Sequence, residues 1–359
     1  MKFPIGTMEN LCKRFPHLAE SIFDQVDDKS LNKSKEISGE VLEFLDNGKF
    51  FWIRIIKKYQ RRLNDFPKLW KQVFDKTPVE KVKQIAIAIS QFFQHDHLYS
   101  YHLVIRRCWR PEQWSLIVIS AHHDDLALIQ FIVRKIKLKN IKHTERTNAL
   151  FLTAYKGHTE IYDFLTSKFR DKNPGKTSLL NREGSTPLHW AANNGHFELC
   201  KLIIEGTANK NPGTIKDIPL YRRNPLIRPI DSAEGSTPLH FAAQNGHLEV
   251  CKLIMDNITD KNPANVEGEM PFHFAAKKGQ LAVCQFMLEN LSDKNPRARR
   301  GITPLHYAAQ YGHVELCKLI MENLVDKNPS CSFDSTPLSL ATAYKKSEVC
   351  QLFHENGIN

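Results

Sequence analysis

The 359-residue chain predicts an all-α fold, a solenoid of about seven helix-turn-helix repeats preceded by a small helical N-terminal domain. Three observations carry this. First, Ser236–Met255 and Ile302–Met321 align without a gap, and Pro238, Pro271, Pro304 and Pro337 recur every 33 residues. A fixed period of about 20–50 residues is the mark of a stacked array. Second, each unit carries its own start and stop signals. Thr237 can cap a helix, Pro238 suits its first position, and Gly246 permits the left-handed turn that ends it. Third, the stretch after each such glycine is strongly apolar, as in Leu248, Val250, Cys251, Leu253, Ile254 and Met255. It reads as a second helix, broken by Asp260-Lys261-Asn262-Pro263.

Within the first helix, Leu239, Ala242 and Ala243 form an apolar face whose alanines allow a partner helix to approach closely. Thr-Pro-Leu-His recurs at 186–189, 237–240 and 303–306, each time followed by Ala-Ala and then by Gly-His. On these residues the unit resembles the ankyrin repeat. The resemblance implies that the motif histidine bonds back to the threonine hydroxyl and neighbouring backbone, and that a concave surface recognises protein.

Composition narrows the function classes. Hydrophobic residues make up 42% of the chain, enough for a packed core. The net charge of +11 divides into +6 on residues 1–114 and +5 on the rest, so no segment is a polybasic tail and no nucleic-acid partner is expected. Met1-Lys2-Phe3-Pro4 opens no signal peptide, and no run of about 18 apolar residues predicts a membrane span. Cys200, Cys251, Cys284, Cys317 and Cys350 share one slot of the second helix, at spacings of 51, 33, 33 and 33. Neighbouring slots about one helix diameter apart, roughly 10 Å, are too distant for a disulfide. These cysteines read as buried, reduced core residues, and the chain as a cytoplasmic or nuclear protein that is not secreted.

Three segments are expected: 1–58, a connector over 59–112, and the array over 113–359. In the first, Leu18, Ile22 and Phe23 share a helical face, Asp27-Asp28 marks a break, Ser30 can cap a helix from Leu31, and a third runs through Phe50 to Tyr59. Such a small bundle needs support from the chain or from a partner. With Pro16 and Leu18, Ile22-Phe23, Leu31, Ile37-Ser38 and the closing Trp52, the segment resembles the F-box, although Val41 stands where that family has tryptophan. The resemblance implies docking through Pro16, Leu18, Ile22 and Phe23 onto the linker subunit of a cullin-type ubiquitin ligase. The alternative is a helical cap for the array. Residues 54–62 form a basic amphipathic helix, either at a membrane surface or with its apolar face in the core. Val79–Phe93 is expected to be a helix capped by Thr77 with Pro78 first.

The array then reads in order. Ser115–Ile132 is a degenerate first repeat with Asp124 in the glycine slot. His122-His123-Asp124-Asp125 suggests a metal site, but adjacent residues do not converge on one ligand sphere. In the second repeat Asn148 can cap in place of threonine. Pro187 and Pro238 lie 51 residues apart, which places an 18-residue insertion near 213–231, either a functional loop or a tolerated ornament. The fifth repeat has Met270 for the capping threonine and Gln280 for the histidine after the glycine, and should have the weakest cap. The seventh has Lys345-Lys346 for Gly-His, as expected of a polar terminal repeat.

No nucleophile-base set, P-loop, dinucleotide fingerprint or HExxH appears, so no enzyme, catalytic residue, metal or cofactor is expected. His189, His240, His273 and His306 repeat because the unit repeats. Carrying over the family's contact positions gives Arg182, Glu183, Asn193 and Asn194; Glu234, Gln244 and Asn245; Glu267, Lys277 and Lys278; and Arg299, Arg300, Gln310 and Tyr311. The set turns basic from the fifth repeat, which suits an acidic protein target. The expected function is a non-enzymatic adaptor that brings such a target to a cullin-type ubiquitin ligase. The alternative is an ankyrin-repeat scaffold with no ligase link, and a further class is a binder of nucleic acid or membrane surfaces through the basic helix.

Overall fold

The structure is a computed structural model that describes residues 79–82, 84–86, 115–136, 141, 143–169, 185–213, 234–332 and 334–358. The F-box-like segment, the expected helix at 54–62 and most of the insertion lie outside the described residues. The chain divides into two compact units, Met1–Ala149 and Leu150–Asn359. Among the described residues there is no strand, and seven helix pairs follow one another.

In the first unit, residues 79–82 and 84–86 are helical and bury Val82, Ile85 and Ala86. Helices α1 (Leu116–His122) and α2 (Leu126–Ile136) pack against each other. Ser115 sits in extended backbone at the start of α1, which buries Ile117, Val118, Ile119 and Ala121. Asp124 occupies the glycine slot at φ 57°, a conformation that disfavours any side chain. Asp125 caps α2 by accepting from the Leu128 N–H at 2.8 Å.

Helix α3 (His143–Lys156) corrects one expectation. It begins before Asn148, which is therefore an interior, buried residue and not a cap. Without a Thr-Pro start nothing fixes the boundary there, and the helix extends back to His143.

The second unit continues with α4 (Thr159–Phe169) and five regular pairs: α5 (Pro187–Asn193) and α6 (Phe197–Glu205), α7 (Pro238–Gln244) and α8 (Leu248–Asp256), α9 (Pro271–Lys277) and α10 (Leu281–Asn290), α11 (Pro304–Tyr311) and α12 (Val314–Glu322), α13 (Pro337–Ala343) and α14 (Ser347–Glu355). First helices α5, α7, α9, α11 and α13 pack on one another in sequence, and second helices α4 to α14 do the same. The core lies between the rows. Leu188, Leu239, Phe272 and Leu305 are fully buried, as are Cys200, Cys251, Cys284 and Cys317. None of the five slot cysteines is in a disulfide. Cys350 corrects the reading that all five are buried, for it is only half-buried. It lies on α14, the last second helix described, where α12 covers one side.

The loops between pairs are stitched by backbone bonds, each donated to the loop before. Val266 N–H donates to Glu234 O at 3.0 Å, Arg299 to Glu267 at 2.8 Å, and Ser332 to Arg300 at 2.7 Å. The loops are thereby tied to one another from repeat to repeat.

Candidate recognition face

The residues that hold the face in place begin with the motif histidine. In α7, His240 Nδ1 accepts the Thr237 N–H at 3.0 Å and lies 3.0 Å from the Thr237 hydroxyl. Its Nε2 stands 3.0 Å from the Glu269 carbonyl, in the loop of the next repeat. An Nδ1 that accepts and an Nε2 that faces a carbonyl fix the neutral Nε2–H tautomer. His189 reaches Ser236 O at 3.2 Å, His273 reaches Ile302 O at 3.1 Å, and His306 reaches Ser335 O at 3.2 Å in the same way. The first of these bridges closes the gap across the insertion, so the extra residues leave the repeat register intact. Burial pushes His189 down to about 3 and His240 and His273 down to about 4, against a partial rise from their carbonyl partners. Burial lowers His306 as well. All four are neutral structural donors near neutral pH.

The fifth repeat tests the capping argument. His273 Nδ1 still accepts the Met270 N–H at 3.1 Å, but no hydroxyl is there to join it. The Met270 sulfur accepts from Asn262 Nδ2 instead, at 2.8 Å.

A second series of bonds runs backward. His196 Nε2 lies 3.0 Å from Tyr155 O, His247 3.0 Å from Asn193 O, and His313 3.3 Å from Lys277 O. Gln280, the exception in sequence, makes the same link to Gln244 O at 3.0 Å through its amide. Each of these side chains lies against the glycine of the preceding repeat. A Cβ on Gly195 would sit 2.5 Å from His247 Nδ1, and one on Gly279 2.6 Å from His313 Nδ1. Gly195 and Gly279 also have φ of 74° and 69°. Lys346 lays its stem over Gly312 where a histidine would otherwise be.

Against this frame the expected contact residues fall into two groups. At the C-terminal ends of the first helices stand Asn193 and Asn194, Gln244 and Asn245, Lys277 and Lys278, and Gln310 and Tyr311. Asn193, Asn194, Gln244, Lys277 and Gln310 are half-buried, and Asn245, Lys278 and Tyr311 are exposed. The asparagines form a polar ladder: Asn245 Nδ2 donates to Asn193 Oδ1 at 3.0 Å, and Asn194 Nδ2 to Tyr155 O at 2.8 Å. Lys277 Nζ lies 5.4 Å from the centre of the Tyr307 ring, and Tyr311 stacks on His313 at 6.4 Å. The second group, Glu234, Glu267, Arg299 and Arg300, belongs to the stitched loops. Arg299 is 3.7 Å from Glu267, so one of the basic residues of the expected contact set is paired. Arg300 is exposed at φ 69°. Arg182, Glu183, Pro16, Leu18, Ile22 and Phe23 lie outside the described residues.

Sequence reasoning missed three contributors. The backward-reaching histidines were visible as a recurring Gly-His but were read only as a turn. The loop asparagines cap from outside the helix: Asn211 Oδ1 accepts the Leu239 N–H at 3.3 Å and Asn328 Oδ1 the Leu338 N–H at 3.1 Å. Their recurrence in Lys-Asn-Pro was the available signal. Glu269 accepts from the Tyr307 hydroxyl and from Asn265 Nδ2, the latter at 3.3 Å. Among the described residues no group of three or more His, Cys, Asp or Glu could hold a metal ion, and no helix is long and apolar enough to cross a membrane.

A family model described as ankyrin repeats (3 copies) matches residues 116–214, 219–298 and 272–359. Among curated proteins, the chain is 32% identical over 116 residues to an ankyrin repeat protein of fowlpox virus (strain NVSL), covering 28% of this chain and 20% of that one. It is 28% identical over 123 residues to an E3 ubiquitin-protein ligase of Arabidopsis thaliana, covering 29% and 24%. It is 34% identical over 84 residues to protein phosphatase 1 regulatory subunit 12A of Mus musculus, covering 23% and 6%. The chain thus spans about a quarter or less of the length of each of these relatives.

Proposed function

The chain belongs to the ankyrin repeat family, and from that premise we propose that it is a non-enzymatic adaptor. Its array selects a protein target, and its F-box-like segment delivers that target to a cullin-type ubiquitin ligase. One observation carries the recognition half. At the helix ends the side chains differ from repeat to repeat: Asn193-Asn194, Gln244-Asn245, Lys277-Lys278, Gln310-Tyr311. The positions on either side keep Ala-Ala and glycine and are committed to packing. A stack that fixes its frame and varies one edge is suited to recognising another protein.

The ligase half rests on the F-box resemblance; the Arabidopsis relative is named an E3 ubiquitin-protein ligase, which supports a link to ubiquitination and no more. Docking of that kind would rest on apolar side chains, each worth about 1.5–3 kcal/mol when buried. The test is capture of a purified ligase linker subunit by the full chain and by a Leu18→Ala/Ile22→Ala variant. Capture by the first and loss in the second, with an unchanged melting temperature, supports delivery. No capture by the unaltered chain reduces residues 11–58 to a cap and leaves the scaffold reading.

A further inference from the structure

Resting on the recognition reading above, the structure lets the partner's chemistry be named at one edge. The helix ends and turns of the fifth, sixth and seventh repeats read Lys277-Lys278-Gly279-Gln280, Gln310-Tyr311-Gly312-His313 and Ala343-Tyr344-Lys345-Lys346. No acid is among them. In most repeats a glutamate follows in the first turn of the second helix, as Glu249, Glu315 and Glu348 do. Helix α10 has none, so Lys277 and Lys278 stand on the one regular repeat whose own turn supplies no acid.

The edge is also held rigid. Lys277 lies over the Tyr307 ring, the Tyr307 hydroxyl is anchored on Glu269, and Asn265 holds the other carboxylate oxygen at 3.3 Å. Tyr311 stacks on His313, whose Nε2 is 3.3 Å from the Lys277 carbonyl. Tyr311 and Tyr344 nevertheless remain 41% and 54% exposed. Side chains fixed before binding lose little freedom on binding, and large amphipathic aromatics are the residues on which interfaces concentrate their energy.

We propose that this edge takes an extended acidic segment of a partner protein. The lysine pairs lie two repeats apart, about 20 Å at roughly 10 Å per packed helix. An extended chain rises about 3.3 Å per residue, so about six residues span the gap. The fitting segment therefore carries carboxylates about six residues apart and an apolar side chain midway, opposite Tyr311. A nucleic-acid backbone fits less well. It presents a charge about every 1.7 Å of duplex and calls for a continuous basic stripe. Here the helix-end cations come in two separated pairs, Lys277-Lys278 and Lys345-Lys346.

The experiment is selection of a linear dodecapeptide display library on the immobilised full chain, followed by fluorescence anisotropy with the selected peptides. The unaltered chain is compared with Lys277→Ser/Lys278→Ser and with Tyr311→Ser, their melting temperatures measured alongside. The expected result is enrichment of acidic peptides with the stated spacing. Affinity should fall tenfold or more in the lysine variant, with a shallower dependence on salt, and fall also in Tyr311→Ser. Selected peptides that are not acidic, or that bind the lysine variant as well as the unaltered chain, overturn this assignment and leave protein recognition standing. Enrichment of no peptide at all counts against recognition itself. A labelled DNA duplex that binds as tightly as the peptides and is lost in the same variant overturns the proposal in favour of nucleic acid.

Discussion

Each glycine that follows a first helix meets two demands. Gly279 has φ 69°, and a Cβ there would fall 2.6 Å from His313 Nδ1. Gly357 shares the first condition, at φ 76°, but has nothing within 4 Å of its would-be Cβ. Comparing the two separates backbone strain from close packing. Gly357→Ala should cost about 1–2 kcal/mol, the left-handed penalty alone. Gly279→Ala should cost that and about 1 kcal/mol more, since His313 must move and its bond to Lys277 O is lost. Urea denaturation of the two variants measures the difference. Equal losses would mean that His313 swings aside freely and that the backward bond contributes nothing. The same geometry explains why glutamine can replace histidine at position 280. An amide N–H reaches the Gln244 carbonyl as an imidazole N–H would.

At the scale of the helix pair, the seventh repeat departs from the pattern at its turn. Lys345 occupies the glycine slot at φ 57° and carries the strain that glycine avoids. Lys345→Gly should therefore stabilise the protein by about 1 kcal/mol, a rise in melting temperature that calorimetry would detect. An unchanged or lower value would show that the lysine side chain compensates through contacts of its own. The cysteine slot gives a second reading of the same helix pair. Burial pushes Cys200, Cys251 and Cys317 up to about 12 and raises Cys284 as well. These four should react slowly with a bulky thiol reagent in the native protein, and half-buried Cys350 should react first of the five. Site-by-site mass spectrometry after brief labelling would check the order. The sequence shows which residues fill the slot, because a 33-residue period places them on one face. It does not show that Cys350 is only half-buried, because exposure depends on what packs against its helix. The start of α3 is not legible at Asn148 for a different reason. A capping residue marks a boundary only where the chain before it cannot continue the helix. The candidate recognition edge is legible in the sequence as positions carried over from the family, but not as contacts. Pairing of Arg299 with Glu267 and placement of Lys277 over Tyr307 both arise between repeats, which no local pattern encodes.

Across the second unit, burial of the forward histidines should make stability depend on proton concentration. His189, His240, His273 and His306 each donate through Nε2 to a carbonyl in the loop of the following repeat. Each accepts through Nδ1 the backbone N–H at the start of its own helix, so protonation at Nδ1 breaks that cap bond inside the repeat and leaves the junction bond in place. The fold lowers these histidines from an ordinary value near 6.5 to about 3 for His189 and about 4 for His240 and His273, and lowers His306 in the same direction. A folded state that refuses protons the unfolded chain accepts is at full advantage above about pH 6.5. It loses that advantage as pH falls towards the folded values. Each histidine can remove up to about 1.4 kcal/mol per pH unit inside that window. Between pH 7.5 and 5.5 ordinary carboxylates stay ionised, so a fall in melting temperature over that range is assignable to histidine. His240→Gln provides the control. An amide can accept the Thr237 N–H and donate to Glu269 O, yet cannot take up a proton. The variant should be less stable than the unaltered chain at pH 7.5 and should show a shallower loss on going to pH 5.5. A slope equal to that of the unaltered chain would remove His240 from the acid response and shift the cause to other groups.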